Sequence, residues 1–380
     1  MKITGFICEF NPLHDGHRHF IRKAEEATGS DYLIALMSGD FVQRGEPAIL
    51  PMYERTKAAL DAGADLVLQL PAVFSTASAA YFAEGGVRIL HELGCVDALV
   101  FGAEGGADDD ITETLAEIAA YMEDNRDSWQ PLLRTHLREG KAYAAARAEA
   151  MKESGCPADG LSDLLVKPNN QLALAYMTAI RRIGSSMKPV AIPRDMTYAA
   201  SSDIRTKLRS SSAAKDQTCL FPDDFSLLLK DRLMSRNAAD LAGCLDITQD
   251  LAQRIKNRQN EFVNWSNFTD LLHTKEMTRA RISRCLTHIL LDIKKDDPLL
   301  AEGAAPKTIL TRTPSFVRIL GFRRKAQPLL ARLKESSSVT LQTQLPPDLD
   351  DRAADLYESV RTDKYALPFT ESHRQQPVII

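Results

Sequence analysis

Long apolar runs are missing from this 380-residue chain. No stretch approaches the roughly 18 to 20 apolar residues a membrane-crossing helix needs, so no membrane partner is expected. Cysteine is scarce and scattered: Cys8, Cys95, Cys156, Cys219, Cys244 and Cys285 form no CxxC pair. That removes the usual zinc spacings and predicts buried, reduced thiols in a cytoplasmic protein that holds no metal of its own. A signal-peptide pattern is also absent, since Met1-Lys2-Ile3-Thr4-Gly5-Phe6 reads as the start of a β-strand. Neither an internal repeat nor a low-complexity tract is present.

A net excess of charge is nearly lacking too, at −4, but the average hides an asymmetry. Residues 1–130 carry 9 Lys/Arg against 22 Asp/Glu, whereas residues 251–345 carry 17 against 8. A basic segment beside an acidic one points to a polyanionic partner for the former, or to a solvated helical surface. With 44% hydrophobic and 26% charged residues, the rest is the composition of an ordinary globular protein long enough for two domains.

Apolar runs and helix-length segments alternate over the first hundred residues. Strands are expected at Ile3–Phe10, Tyr32–Ser38, Leu66–Leu70 and Ala98–Phe101. Helices are expected from about Gly16 to Ala27, around Met52–Ala62 and over Ala77–Leu93. This alternation predicts an α/β fold, a Rossmann-like parallel sheet covered by helices on both faces. Residues 108–165 read as mostly helical, with a further strand at Lys188–Ile192 and a helix beginning near Ser202. Beyond about residue 220 the pattern turns helical, best at Ala239–Ile255, Asn267–Leu272 and Thr278–Asp292. Short strands near Ile309 and Ser338–Leu341 and a loose tail over the last dozen residues complete the expectation. The expected division is 1–215 for this α/β domain and 216–380 for a mostly helical, basic one.

The sharpest chemical signal is Asn11-Pro12-Leu13-His14-Asp15-Gly16-His17, at the carboxyl end of the first strand, where open α/β sheets bind ligands. A helix start there offers free N–H groups and a positive dipole end to a phosphate. Gly16 lets a phosphate or base approach the backbone. His14 and His17 can each hydrogen-bond an α-phosphate and stabilise the charge that develops on it, so His14, Gly16 and His17 are the expected catalytic residues. The bland alternative is a pair of turn histidines in solvent.

FNPLHDGH resembles the HxGH (HIGH-type) signature of nucleotidyltransferases. Their second signature has a counterpart in Ala199-Ala200-Ser201-Ser202-Asp203-Ile204-Arg205, where hydroxyls open a helix and an arginine follows one turn in. Ser201, Ser202 and Arg205 suit the β and γ phosphates. Further stretches narrow the resemblance to the tRNA(Met) cytidine acetate ligase family. They include Ser38–Ala48, Gly63–Pro71, Phe101-Gly102-Ala103-Glu104, Pro168-Asn169-Asn170-Gln171-Leu172, Lys188–Arg194 and Thr278–Ile282. Two positions depart from the family's pattern: Met52, where lysine is frequent, and Ala173, where glycine is usual. The resemblance implies formation of acetyl-adenylate from acetate and ATP, with Mg²⁺ as cofactor. It further implies acetylation of N4 of the wobble cytidine of elongator tRNA(Met).

Carried over by position, the resemblance implies ATP contacts along Ile7, Cys8, Glu9, Phe10, Asn11, Pro12, Leu13, His14, Asp15, Gly16, His17, Arg18, His19 and Phe20. It adds Gly102, Asn170 in preference to Asn169, and Arg194. Asp40, Gln43, Arg44 and Glu46 are expected near substrate or in a solvated loop. For tRNA, Lys275, Arg279, Arg281 and Arg284 form the expected phosphate-contact surface, joined by Arg318, Arg323, Arg324 and Lys325, with no DNA partner expected. Trp265, Phe268 and Phe322 are the aromatics available for base stacking. Two other readings stay open: a small-molecule adenylyltransferase, and a non-catalytic RNA-binding protein on the same fold.

Overall fold

The computed structural model describes residues 1–105, 110–157, 161–211, 218–300, 311–344 and 348–380. Ten strands are present among them: β1 (Ile3–Cys8), β2 (Tyr32–Ser38), β3 (Phe41–Val42), β4 (Glu46–Pro47), β5 (Leu66–Leu70), β6 (Ala98–Ala103), β7 (Lys188–Pro193), β8 (Phe316–Phe322), β9 (Thr340–Gln342) and β10 (Val378–Ile379). The main sheet runs in the order β10-β8-β5-β2-β1-β6-β7, with β9 beside β8 and β3–β4 forming a separate hairpin. β1 pairs in parallel with β2 from Ile3↔Tyr32 to Cys8↔Met37, and on its other side with β6. The strand order therefore reverses between β1 and β6, which makes that crevice the switch point of the sheet.

Both faces of the sheet are covered, so its central strands are apolar throughout rather than alternating. Ile34 and Leu36 of β2 and Leu66, Leu68 and Leu70 of β5 enter one core with Val87, Leu90 and Leu174. Leu33, Ala35 and Met37 enter the other with Phe6, Ile21, Leu60 and Leu320. Successive side chains thus take opposite faces, as the pleat requires. The helix Asp15–Thr28 turns Ile21 and Ala24 inward and stops at Gly29, whose φ of 57° is the left-handed cap that glycine accepts at no steric cost.

Several expectations need correction. β1 ends at Cys8, because Phe10 takes a φ of 48° and leaves the sheet. The expected helix Ala239–Ile255 is two, Ala238–Ala242 and Gln249–Arg258, with Asp246 at φ 62° between them and Thr248 capping the second. β8 lies in a segment read as helical, yet it pairs antiparallel with β5. The last dozen residues are no loose tail, since β10 adds in parallel to β8. Cys219, Cys244 and Cys285 are buried, whereas Cys8, Cys95 and Cys156 are partly exposed. The strand expected near Ile309 lies outside the described residues.

The C-terminal helices dock on the sheet through the β3–β4 hairpin. An added Cβ at Gly45, φ 72°, would stand 2.2 Å from the main-chain nitrogen of Arg284. The Ser283 hydroxyl donates to the Gly45 carbonyl at 2.6 Å. Only a residue without a side chain permits this approach of hairpin to helix Arg279–Leu291.

Candidate active site

Beyond Phe10 the chain turns over the carboxyl end of β1 and enters the helix at Asp15, with His14 as the N-cap. His14 Nδ1 accepts the Gly16 N–H at 3.1 Å, and the His14 N–H points at His17 Nδ1 at 3.4 Å. The two rings stack at 3.8 Å with 28° between their planes. Because Nδ1 is the acceptor in both rings, each neutral imidazole carries its proton on Nε2. A Cβ at Gly16 would press on the His14 ring at 3.0 Å and on Tyr198 Cβ at 3.1 Å, so glycine is what fits.

Burial, then the neighbouring His14 and Arg194, lower His17 to about 3. Burial likewise lowers His14, with Arg194 and Arg205 adding to the effect and Asp15 opposing it. Both rings are therefore neutral at pH 7 and act as hydrogen-bond donors rather than as cations.

The second motif closes on the first across nearly two hundred residues. His14 Nε2 lies 3.0 Å from Ser201 Oγ, at the start of the helix Ser201–Arg209. Arg205 Nη1 donates to the Asn11 carbonyl at 3.0 Å, while Asn11 Oδ1 accepts the Ile49 N–H at 2.7 Å. Ser202 is exposed, with its hydroxyl 3.4 Å from Asp203.

At the end of β6, an added Cβ on Gly102 would meet no atom within 4 Å, so space lies open beside this strand end. Glu104 is the hub here, and the sequence reading did not single it out. Asn170, fully buried, accepts the Glu104 N–H and donates to the Glu104 carbonyl, both at 2.7 Å. With its amide so occupied, Asn170 shapes the strand end. Asn169 Nδ2 reaches Glu104 Oε1 at 2.6 Å, and Arg194 Nη1 reaches the same oxygen at 3.2 Å. Only the position of Glu104 two residues after Gly102 hinted at this role.

Much of the Ile7–Phe20 segment supports rather than lines the site. Phe20 packs edge-on to Phe6, Phe10 backs His17 at 5.1 Å, and Ile7 fills the space beneath Gly86. Pro12 is buried, Leu13 joins the core of Phe6 and Phe10, and Cys8 is pushed up in pKa by burial. Glu9 Oε1 accepts the Gln43 N–H at 2.6 Å, and burial raises the Glu9 carboxyl. Asp15 and Arg18 are exposed, and with His19 they lie on the outer side of the helix. Asp40 is spent on the Met52 N–H at 2.7 Å, which fixes it as a structural residue. Arg55, also buried, ties together the carbonyls of Glu9, Ser38, Gly39 and Leu50.

Of the expected RNA contacts, Lys275 and Arg279 are exposed and Arg281 is half-exposed, with Arg279 paired to Asp270 at 2.5 Å. Arg284 is different: largely buried, it lies 4.0 Å from Asp246 behind the Gly45 contact and offers no phosphate surface. Arg318, 1% exposed, is bound to Asp351 at 2.6 Å and Ser372 at 2.7 Å inside the fold. Trp265 and Phe268 are core residues, which leaves Phe322 as the partly exposed member of that set.

A family model described as HIGH Nucleotidyl Transferase matches residues 1–218 and 212–377. A tRNA(Met) cytidine acetate ligase of Acetivibrio thermocellus is 31% identical, with 91% of this chain and 88% of that protein covered. One of Clostridium kluyveri is 30% identical, with 100% and 99% covered. Among solved structures, Thermotoga maritima TmcAL bound with alpha-thio ATP superposes with a TM-score of 0.87 at 25% identity over the full length of both chains.

Proposed function

Since the chain belongs to the tRNA(Met) cytidine acetate ligase family of HIGH nucleotidyl transferases, we propose that it activates acetate with ATP and acetylates N4 of the wobble cytidine of elongator tRNA(Met). The observation that carries this reading is the contact of His14 with Ser201, which joins both nucleotide motifs at the switch point of the sheet. An acetate oxygen attacks the α-phosphorus, the bond to the bridging oxygen breaks, and pyrophosphate leaves. The Nε2–H groups of His14 and His17 donate to the α-phosphate oxygens as charge develops there. Arg205 and Ser201 meet the β and γ phosphates, and Arg194 exchanges its bond to Glu104 for one to phosphate. The cytidine amine then attacks the acetyl carbonyl and expels AMP.

Among the described residues, no three His, Cys, Asp or Glu side chains come together to hold a metal ion. Mg²⁺ would accordingly ride on the triphosphate oxygens and water, where it neutralises charge. Residues 1–215 serve ATP chemistry and 216–380 serve tRNA through Lys275, Arg279 and Arg281, even though both parts contribute strands to one sheet. No helix among the described residues is long and apolar enough to cross a membrane. A cytoplasmic place beside tRNA follows from the same reading.

The test is transfer of labelled acetate to total tRNA with Mg-ATP, followed by nucleoside analysis. Labelled N4-acetylcytidine that appears only with ATP is the expected result. ATP–pyrophosphate exchange without any label on tRNA would refute acetylation and favour a small-molecule adenylyltransferase.

A further inference from the structure

A cleft of about 440 Å³ borders the outer side of the helix Asp15–Thr28, and the chemistry above makes no use of it. At 100° per residue, His17, Ile21, Ala24 and Thr28 share the side of this helix that faces the sheet. Asp15, Arg18, Arg22 and Glu25 form the adjoining stripe, centred about 110° further round the helix, and together with Ile21 and Ala62 they line the cleft. Tyr198, from the loop before the helix Ser201–Arg209, closes the other side. Its ring lies 5.3 Å from that of His19, with 38° between the planes. Arg22 Nη2 stands 3.1 Å from His19 Nδ1, so the cation is held at the edge of the ring pair.

The lining is chemically specific. Tyr198 and His19 offer π-faces on which a planar base can lie, and such stacking tolerates any base. Arg18 and Arg22, both exposed, suit a phosphate. Asp15 and Glu25 disfavour a run of phosphates, but they can accept hydrogen bonds from a base amino group or a ribose hydroxyl. A volume of this size is that of a small-ligand pocket, not of a duplex groove. Taken together, the lining fits one unstacked nucleotide. The cleft also adjoins the HxGH turn, because Tyr198 Cβ is among the atoms that a Cβ on Gly16 would meet, at 3.1 Å.

We propose that this cleft seats a nucleotide of the RNA substrate next to the one being modified. The inference rests on the ligase reading of the site. ATP is the other source of the same chemistry. On the ligase reading, ATP would lie over the stacked histidines and the open side of Gly102, neither of which lines this cleft. A flanking nucleotide held here would keep its neighbour extruded toward the histidines, which a base attacked at N4 requires.

The test uses the full chain and Tyr198→Ala, which keeps the Cβ that packs on Gly16, together with Arg22→Ala and Tyr198→Trp. ATP–pyrophosphate exchange with acetate reports on the ATP side, and acetyl transfer to elongator tRNA(Met) reports on the RNA side. Expected are a rise of at least fivefold in KM for tRNA in both alanine variants, an ATP KM within twofold of wild type, and recovery with tryptophan. A parallel rise in ATP KM would assign the cleft to ATP and overturn the proposal, as would an unchanged KM for tRNA. If the wild type transfers no acetyl group, the ligase reading fails separately. Filter binding of the same tRNA then decides the cleft: a fivefold weaker Kd in Tyr198→Ala supports it, and an equal Kd overturns it.

Discussion

His14 performs two tasks that one substitution can separate. Its Nδ1 caps the helix through the Gly16 N–H, and its Nε2–H faces Ser201, where a phosphate oxygen would arrive. Asparagine retains an N-cap acceptor and has no group that reaches as far as Nε2, whereas alanine loses both. His14→Asn should therefore keep the stability of the wild type to within about 0.5 kcal/mol, while His14→Ala gives up about 1 kcal/mol of capping energy. Loss of one preorganised donor to a developing oxyanion costs about 2.7–4 kcal/mol of transition-state stabilisation, a factor of roughly 10² to 10³ in rate. Acetate-dependent ATP–pyrophosphate exchange measures the rate, and urea unfolding measures the stability. Both variants should lose exchange to the same degree, and only alanine should lose stability. Exchange by His14→Asn within threefold of wild type would refute the assignment of Nε2–H to the α-phosphate.

Because His17 is lowered to about 3, its ring takes up no proton between pH 6 and 8, and burial moves His14 below its ordinary range. His17 should therefore contribute no inflection to the exchange rate over that interval, and an inflection near 6.5 that disappears in His17→Asn would contradict a neutral His17. Gly45→Ala would drive a Cβ into the Arg284 main chain from a positive φ, so urea unfolding should show a loss of about 3 kcal/mol. An unchanged midpoint would mean that the hairpin and helix do not meet in this way. Burial, then Asp348, raises Asp350 to about 7, above the roughly 3.9 of an unfolded aspartate. Its contribution is therefore fully present below about pH 4 and is lost as pH rises through 7. Asp350→Asn keeps an acceptor for the Ala72 N–H without the buried charge, so its Tm should exceed that of wild type at pH 8 and match it at about pH 4. An equal gain at both values would rule out titration as the cause.

The strands β2 and β5 and the helix Met52–Ala62 could be read from sequence to the residue, because each is bounded on both sides by glycine, proline or aspartate. The geometry of the HxGH loop was equally legible, since it is local: cap, glycine and ring pair all fall within four residues. What escaped depends on distant partners. β8 contains Arg318, which reads as a surface cation until Asp351 and Ser372 come to neutralise and bond it. Apolar periodicity runs on through Leu241, Leu245 and Leu251, but the helix breaks where Cys244 bridges to Lys294. Arg284 looked like part of a basic face until the hairpin covered it. Asn170 looked like a ligand contact because nothing in its own helix shows that Glu104 takes both ends of its amide.

The antiparallel join of β8 to β5 also bears on how the protein is made. During synthesis, β5 emerges early and then waits with one edge unpaired while about 245 further residues are added, a long separation for any strand pair. Until Phe316–Phe322 leaves the ribosome, a nascent chain displays that apolar edge beside an otherwise assembled nucleotide site. The sheet therefore stays one strand short until β8 is out, and the interval before it arrives is when wrong pairing at that edge is most open.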